Sequence, residues 1–189
     1  MSDNKESNGI VYLRNTVEFV TVAAEFCAYI EQSEGRKRRD FVSTVLKLLP
    51  LLYLKASLLE KIEGEEDFFP EDFVTEHDYE FIRLTLSSVM EEHDDYLDLA
   101  NDEVRFSDES VVKNISEDLA DIYQSVKNFV ETYRLGLEAN MIEAIAAVVE
   151  QFELYWGQTL VNVMRALHRV KYAPLSHDEE ENDNLDELE

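Results

Sequence analysis

The sequence contains few of the residues that form tight turns, and it cannot form an internal disulfide. Five glycines and three prolines occur among 189 residues, too few for the many turns of an all-β fold. The single cysteine, Cys27, lies in an apolar stretch, where a reduced and buried thiol is expected. These scarcities predict an all-α protein without disulfide bonds.

No apolar run in the sequence approaches the length of a membrane-spanning helix. The most apolar run, residues 45–54, contains Lys47 and Pro50, and it is far shorter than the roughly 20 residues that cross a bilayer. Residues 1–9 are polar and lack the apolar centre of a signal peptide. We therefore expect a cytoplasmic protein.

Positive charge is also scarce: the chain contains 17 Lys and Arg but 42 Asp and Glu, which gives a formal net charge of −25. A surface this negative repels phosphate backbones and anionic lipid headgroups, so we expect neither nucleic-acid nor membrane binding. Hydrophobic residues nevertheless make up 45% of the chain and aromatic residues 11%. Disordered acidic chains contain less of both, so the charge belongs to a folded domain.

Most of the sequence repeats its apolar residues with the period of an α-helix. The pattern predicts helices at residues 11–34, 40–62, 75–97, 107–135 and 140–172. We expect a single-domain all-α bundle of five to six helices over residues 10–173, with the first and fifth helices the most enclosed. The bundle is expected to lie between a disordered N-terminus, residues 1–9, and an acidic disordered tail, residues 174–189.

Several residues mark where these helices begin, bend or end. Thr75 followed by Asp78 has the spacing of a capping box, and Asn140 is expected to cap the fifth helix. Pro50 falls inside the second helix and predicts a kink there. Gly136 is expected to end the fourth helix.

One group of carboxylates has the spacing of a metal site. Glu92 and Asp95 are predicted on the third helix, and Asp118 and Asp121 on the fourth. Residues three apart share a helix face, so two antiparallel helices could hold Mg²⁺ between both pairs. The pattern loosely resembles that of all-α nucleoside triphosphate pyrophosphohydrolases. A helical wheel turns Asp95 and Asp121 away from the apolar stripes, which favours two solvated acidic faces instead.

Aromatic and histidine residues supply a second set of candidates, for a pocket or an interaction surface. A glycine inside a long helix costs about 1 kcal/mol relative to alanine, so Gly157 indicates close packing. Tyr155 and Trp156 could line a concavity there, or the helix could cross another one tightly. His93 falls on the apolar stripe of the third helix, where a buried neutral imidazole is expected. His168 lies near the C-terminus of the fifth helix, where the dipole favours an imidazolium.

The residues 36–39, Arg-Lys-Arg-Arg, form the only basic island that stands out in the sequence. They precede a helix, where positive charge opposes the dipole. Three interpretations remain open: a solvated turn, a docking site for the acidic tail, or a site for an anionic ligand or partner.

The sequence also resembles a known family. The resemblance is carried by Tyr155-Trp156-Gly157-Gln158-Thr159-Leu160-Val161, Arg165-Ala166-Leu167-His168, Asp95-Tyr96 and Asp121-Ile122-Tyr123. These stretches resemble a bacterial, Bacteroides-like family of acidic all-helical proteins, which is a domain of unknown function. The resemblance implies a compact helical bundle and no established activity, and it assigns no role to these residues.

Three hypotheses of function follow. The first is a non-enzymatic protein-interaction module without a cofactor, whose acidic surface binds a basic protein. The alternative is a Mg²⁺-dependent hydrolase of nucleotides or phosphoesters that uses the carboxylate cluster. A third is a DNA mimic, which needs carboxylates spaced like phosphates along one face.

The hydrolase hypothesis makes a prediction that separates it from the others. Mg²⁺ or Mn²⁺ would raise the melting temperature, because a ligand of the folded state stabilises that state. The substitution Asp118→Ala would abolish this rise. A thermal-shift series with and without EDTA measures both effects, and a flat response contradicts the hypothesis.

Overall fold

The computed structural model describes residues 9–62, 64, 72–98 and 111–173. Its α-helices are α1 (Arg14–Glu31), α2 (Arg38–Ala56), α3 (Glu76–Met90), α4 (Ile115–Arg134), α5 (Glu138–Gln151) and α6 (Gly157–Tyr172). A 3₁₀ turn, Glu91–His93, follows α3, and a π-helical segment, Phe152–Trp156, joins α5 to α6. The strands β1 (Asp95–Asp98) and β2 (Val111–Asn114) form one antiparallel pair.

The predicted all-α bundle is confirmed. The described part of the chain has six α-helices, or five when α5 and α6 count as one through the π segment. None of these helices combines the length and the hydropathy that a bilayer crossing requires. The predicted disordered ends, residues 1–9 and 174–189, lie outside the described residues except for Gly9.

Helix α4 occupies the centre of the bundle, in contrast to our expectation for the first and fifth helices. It packs against α1, α3, α5 and α6, and α2 closes the ring between α1 and α6. Ten residues of α4 are buried, among them Leu119, Ile122 and Val126. The core around it includes the fully buried Phe19, Phe26 and Trp156.

Two of the local signals are confirmed, the capping box and the helix end at Gly136, while the kink expected at Pro50 stays a prediction. The Thr75 hydroxyl accepts from the backbone N–H of Asp78 at 3.2 Å, and the Asp78 carboxylate accepts in return from the backbone N–H of Thr75 at 3.1 Å. Pro50 lies inside α2, and Gly136 follows α4 with φ +72°. The predicted cap at Asn140 is wrong, because α5 begins earlier and its N-cap, Leu137, offers no side-chain acceptor.

The boundary between the third and fourth helices is the largest error of the sequence analysis. Helix α3 ends at Met90, since Glu91 adopts φ +52°, a conformation that costs a non-glycine residue roughly 1–3 kcal/mol. Leu97 and Val112, both expected on helical stripes, instead pair across β1 and β2. Val112 is 60% exposed. A helical period in a short stretch cannot exclude a strand when the chain turns back on itself.

The start of α4 is capped from outside the helix. Asp94 accepts from the backbone N–H of Ser116 at 2.8 Å and from its hydroxyl at 2.7 Å. The backbone carbonyl of Asp94 also accepts from the N–H of Ile115 at 2.8 Å. Asp94 and Ser116 are both buried. These bonds satisfy N–H groups that a helix leaves without partners at its first turn.

The π segment explains the glycine inside the last helix. A Cβ atom on Gly157 would lie 2.5 Å from the carbonyl oxygen of Phe152 and 2.9 Å from its ring. The close approach that we inferred from the sequence therefore comes from the same helix, five residues earlier. The other expected core residue, Cys27, is buried, and burial raises the pKa of its thiol.

We predict that Gly157→Ala destabilises the protein by about 1–3 kcal/mol, because the new methyl group overpacks the Phe152 carbonyl and ring. The opposite sign is expected for a glycine on an open helix, where alanine stabilises by about 1 kcal/mol. Urea unfolding followed by circular dichroism measures the change. Gln158→Ala, at the next and exposed position, is the matched control and should have little effect.

Candidate functional site

The two predicted metal ligands nearest α3 lie on different elements and have different partners. Glu92 is exposed in the 3₁₀ turn, with a carboxylate oxygen 3.4 Å from Arg38. Asp95 is exposed at the start of β1 and accepts from the side-chain amide of Asn114 at 2.7 Å. Neither residue lies on α3, so the helix face that was to present them does not exist.

The other two predicted ligands lie on α4, as expected, but each carboxylate binds tyrosines. Asp118 is 5% exposed and accepts from the hydroxyl of Tyr96. Asp121 accepts from Tyr79 at 2.7 Å and from Tyr155. No group of three or more His, Cys, Asp or Glu side chains in the described ranges could hold a metal ion. The predicted Mg²⁺ cluster of all four carboxylates is therefore not assembled.

Asp121 and its two tyrosines connect α3, α4 and the π segment. Burial, the hydrogen bond to Asp121 and the negative charge of that carboxylate raise the pKa of Tyr79. The same causes raise the pKa of Tyr155, although that residue is 51% exposed. A carboxylate that accepts from two phenols holds three elements together, which is a structural role.

Of three further candidates, Trp156 and Gly157 are buried, whereas His93, which we expected to be buried on the third helix, is partly exposed. Trp156 is fully buried, contacts the tilted ring of Phe152 at 4.7 Å between ring centroids, and donates to the carbonyl of Val148 at 3.3 Å. Gly157 is also buried. His93 lies in the 3₁₀ turn, not on α3, with its Nδ1 atom 3.3 Å from Glu92. Trp156 and Gly157 therefore belong to the core.

The basic island is joined to the acidic 3₁₀ turn. Arg38 lies 3.1 Å from a carboxylate oxygen of Glu91, and Arg36 lies over the ring of Tyr29 at 4.7 Å. Arg36 also donates to the carbonyl of Gln32 at 2.8 Å. Two of the four basic residues of the island, Arg36 and Arg38, therefore already have partners within the fold.

The remaining candidate, His168, lines a groove of about 580 Å³ between α2 and α6. The apolar residues of this groove are Leu46, Pro50, Val161 and Met164. Its basic residues are Lys47, Arg165, His168 and Lys171. None of the described side chains that line it is acidic. We call this surface the α2–α6 groove.

Helical spacing explains how α6 presents one face to the groove. Met164, Arg165 and His168 lie three, four and seven residues after Val161, which places all four on one side of a helix. Near the end of α6, Lys171 donates to the hydroxyl of Ser43 at 3.0 Å and so connects the two walls. On the α2 wall, Pro50 cannot donate the helical hydrogen bond to Leu46, since proline has no N–H.

Three basic residues of the groove were not among the predicted site residues, namely Lys47, Arg165 and Lys171, although the sequence contains a signal for them. Residues 41–59 and 154–177 are the two longest stretches without Asp or Glu. In a chain with 42 acidic residues such gaps stand out, and they contain the groove-lining parts of α2 and α6. The fold then places the two stretches side by side.

The fold defines an all-α helical bundle, and the comparisons with known proteins identify its family. The chain belongs to the family described as a domain of unknown function (DUF5063), whose model matches residues 11–173. This confirms the family resemblance. None of the curated proteins matches the sequence.

A solved structure is similar to most of the chain. It is the crystal structure of protein BF1032 from Bacteroides fragilis, with 51% sequence identity and a TM-score of 0.78. The match covers 89% of this chain and 99% of that one. The similarity supports the fold and the bacterial character of the family.

We predict that Asp121→Asn lowers the pKa of Tyr79 and, to a smaller extent, that of the more exposed Tyr155. A tyrosine whose folded pKa is raised contributes stability below its unfolded pKa of about 10 and loses it as the pH rises further. The variant should therefore lose less stability between pH 9 and 11 than the wild type. Carbon-13 NMR of the tyrosine Cζ atoms gives the pKa values, and urea unfolding gives the stability.

Tyr123 is the internal control for this titration. Burial and a hydrogen bond to Glu31 at 2.9 Å raise its pKa, and Asp121 is not among the causes. An equal fall in the pKa of Tyr123 would contradict a local effect of Asp121.

Proposed function

We propose that this protein is a non-enzymatic protein-interaction module and that the α2–α6 groove binds an acidic, partly apolar segment of its partner. The observation that carries the proposal is the composition of the groove. Four basic and four apolar side chains line one concave surface of a protein with a net charge of −25.

The groove has the size and chemistry to hold a short piece of chain. Its volume, about 580 Å³, lies within the roughly 300–1,000 Å³ typical of binding pockets. The apolar residues supply contact area, and the cations on either side pair with carboxylates. A segment that alternates Asp or Glu with Leu satisfies both halves of this surface.

Local charge, not net charge, decides which partner the groove accepts. At physiological ionic strength the Debye length is about 8 Å, so exposed charges further away are largely screened. Lys47, Arg165 and Lys171 therefore outweigh the distant carboxylates for a ligand inside the groove. The net charge alone suggested a basic partner, and the groove favours the opposite sign.

A basic partner is a second candidate for a different surface. Asp72, Glu76 and Asp121 line a cleft of about 420 Å³ beside Tyr79. Carboxylates next to an aromatic ring favour an arginine or lysine side chain. This cleft is the surface at which we propose that a basic partner would bind, and the peptide experiment described below tests it.

The hydrolase alternative has no comparable support, because its four carboxylates lie on three elements and bind separate neighbours. The interaction module predicts a flat melting temperature with Mg²⁺ and Mn²⁺. A rise that Asp118→Ala abolishes would restore the alternative.

We predict that a fluorescein-labelled peptide of repeated Glu-Glu-Leu triplets binds the full chain, with saturable fluorescence anisotropy. The double variant Lys47→Glu/Lys171→Glu should bind about tenfold more weakly. Each exposed charge pair contributes up to about 1 kcal/mol, reversal turns attraction into repulsion, and about 1.4 kcal/mol corresponds to tenfold.

The matched control is Arg14→Glu/Lys61→Glu, which changes the net charge equally at two exposed sites away from the groove. It should bind within about twofold of the wild type, because remote charges are screened. Equal weakening by both double variants would contradict a groove site. Tighter binding of a Lys-Lys-Leu peptide would favour the acidic cleft instead.

A further inference from the structure

We infer that the α2–α6 groove has an occupant within this chain, namely the acidic segment of residues 178–189, which competes with the partner for the groove. This inference rests on the proposed function, because it assigns a regulator to the same surface. The segment would fold back along α6 after the helix ends, so that the protein binds its partner only when the segment is displaced.

The chain leaves the helical bundle at one end of the groove. Helix α6 ends at Tyr172, which itself lines the groove beside Lys171. Ala173 is extended, with φ −60° and ψ 144°, and Pro174 cannot continue the helix. The next residues therefore start next to the cations that they would bind.

The chemistry of the segment complements that of the groove. Residues 178–189, Asp-Glu-Glu-Glu-Asn-Asp-Asn-Leu-Asp-Glu-Leu-Glu, contain no Lys or Arg. Two leucines, Leu185 and Leu188, are the apolar residues among these carboxylates. They provide the contact that Val161, Met164 and Leu46 would accept, while the carboxylates face the basic residues.

The length of the segment matches the distance that it must span. From Tyr172 to Val161 the groove follows eleven residues of α6, or about 16 Å at 1.5 Å per residue. Leu185 lies thirteen residues after Tyr172, and thirteen residues span at most roughly 43 Å when fully extended. The first leucine therefore reaches the apolar end of the groove without being stretched.

The groove is a better site for this segment than the basic island at residues 36–39. Arg38 already lies beside Glu91 and Glu92, and Arg36 is placed over Tyr29. Neither Glu91 nor Glu92 belongs to the groove lining. An acidic segment at the island would meet carboxylates of its own sign, whereas the groove presents cations and apolar surface together.

Paramagnetic NMR on the full chain tests where the segment lies. A nitroxide on Glu187→Cys should broaden the methyl signals of Leu46 and Val161 and leave that of Ile82 on α3 unchanged. Cys27 is buried and does not compete for the label. The broadening should disappear in Lys47→Glu/Lys171→Glu and persist in Arg14→Glu/Lys61→Glu.

Two results of this experiment would overturn the inference. One is the absence of broadening at Val161, and the other is broadening that the groove variant leaves unchanged. A mixture of spin-labelled chains with isotope-labelled chains must show none, since broadening there means that the segment enters a second copy.

Peptide binding measures the competition and separates this inference from the proposed function. A short tether gives an effective concentration of about 1 mM, so the segment should weaken a groove ligand of similar affinity severalfold. The full-length variant Asp178→Asn/Glu179→Gln/Glu180→Gln/Glu181→Gln should therefore bind the Glu-Glu-Leu peptide about five- to tenfold more tightly than the wild type. The tenfold effect of Lys47→Glu/Lys171→Glu on peptide binding is measured in this neutralised background, because in the wild type the groove variant also releases the competing segment.

The outcomes are distinct for the two ideas. Equal affinity of the wild type and the neutralised variant would overturn the competition and leave the groove as the partner site. Absence of peptide binding in both proteins would overturn the proposed function itself.

Discussion

Two buried carboxylates hold the start of α4, and the arrangement of the other helices depends on it. Asp94 binds the N–H and hydroxyl groups of Ser116, and Asp118 accepts from Tyr96. Both carboxylates lie at the positive end of the helix dipole, which favours their negative charge. A buried acceptor left without its partner costs about 1–3 kcal/mol. Because α4 contacts α1, α3, α5 and α6, fixing its first turn fixes the helix that four others pack against.

Charge is distributed unevenly over this bundle: the chain has a net charge of −25, but the described side chains that line the α2–α6 groove are basic or uncharged. Acidic residues are absent from residues 41–59 and 154–177, and none of the described side chains that line the groove is acidic. Elsewhere, lysine and arginine mostly pair with nearby acids, as Lys127 does with Glu31 at 2.7 Å. The groove combines cations and apolar side chains on one concave surface, a local feature that the net charge of the chain does not reveal.

The π segment decides which face of α6 reaches that groove. Between Phe152 and Trp156 the backbone follows the wider turn of a π-helix, so α6 is rotated relative to a continuous extension of α5. Tyr155 then points toward Asp121 while Trp156 enters the core. The same offset leaves Arg165 and His168 on the groove side.

The sequence by itself determined the helical class, the family, and the features that depend on a few neighbouring residues. The capping box at Thr75, the proline inside α2 and the positive φ of Gly136 each follow from local backbone chemistry. Of the predicted pocket or interaction residues, only His168 lines the α2–α6 groove. The others were chosen by residue type, which does not reveal which side chains will be their neighbours in the fold.

Only the tertiary structure decided where α3 ends, what caps α4 and which surface is concave. Arg38 and Glu91 are 53 residues apart, and Asp94 and Ser116 are 22 apart. Periodicity describes one helix at a time and cannot report such pairs. The two acid-free stretches are visible in the sequence, but the sequence does not show that they lie side by side in the fold. They form one concave surface because the packing of α2 against α6 puts their cations and apolar residues together.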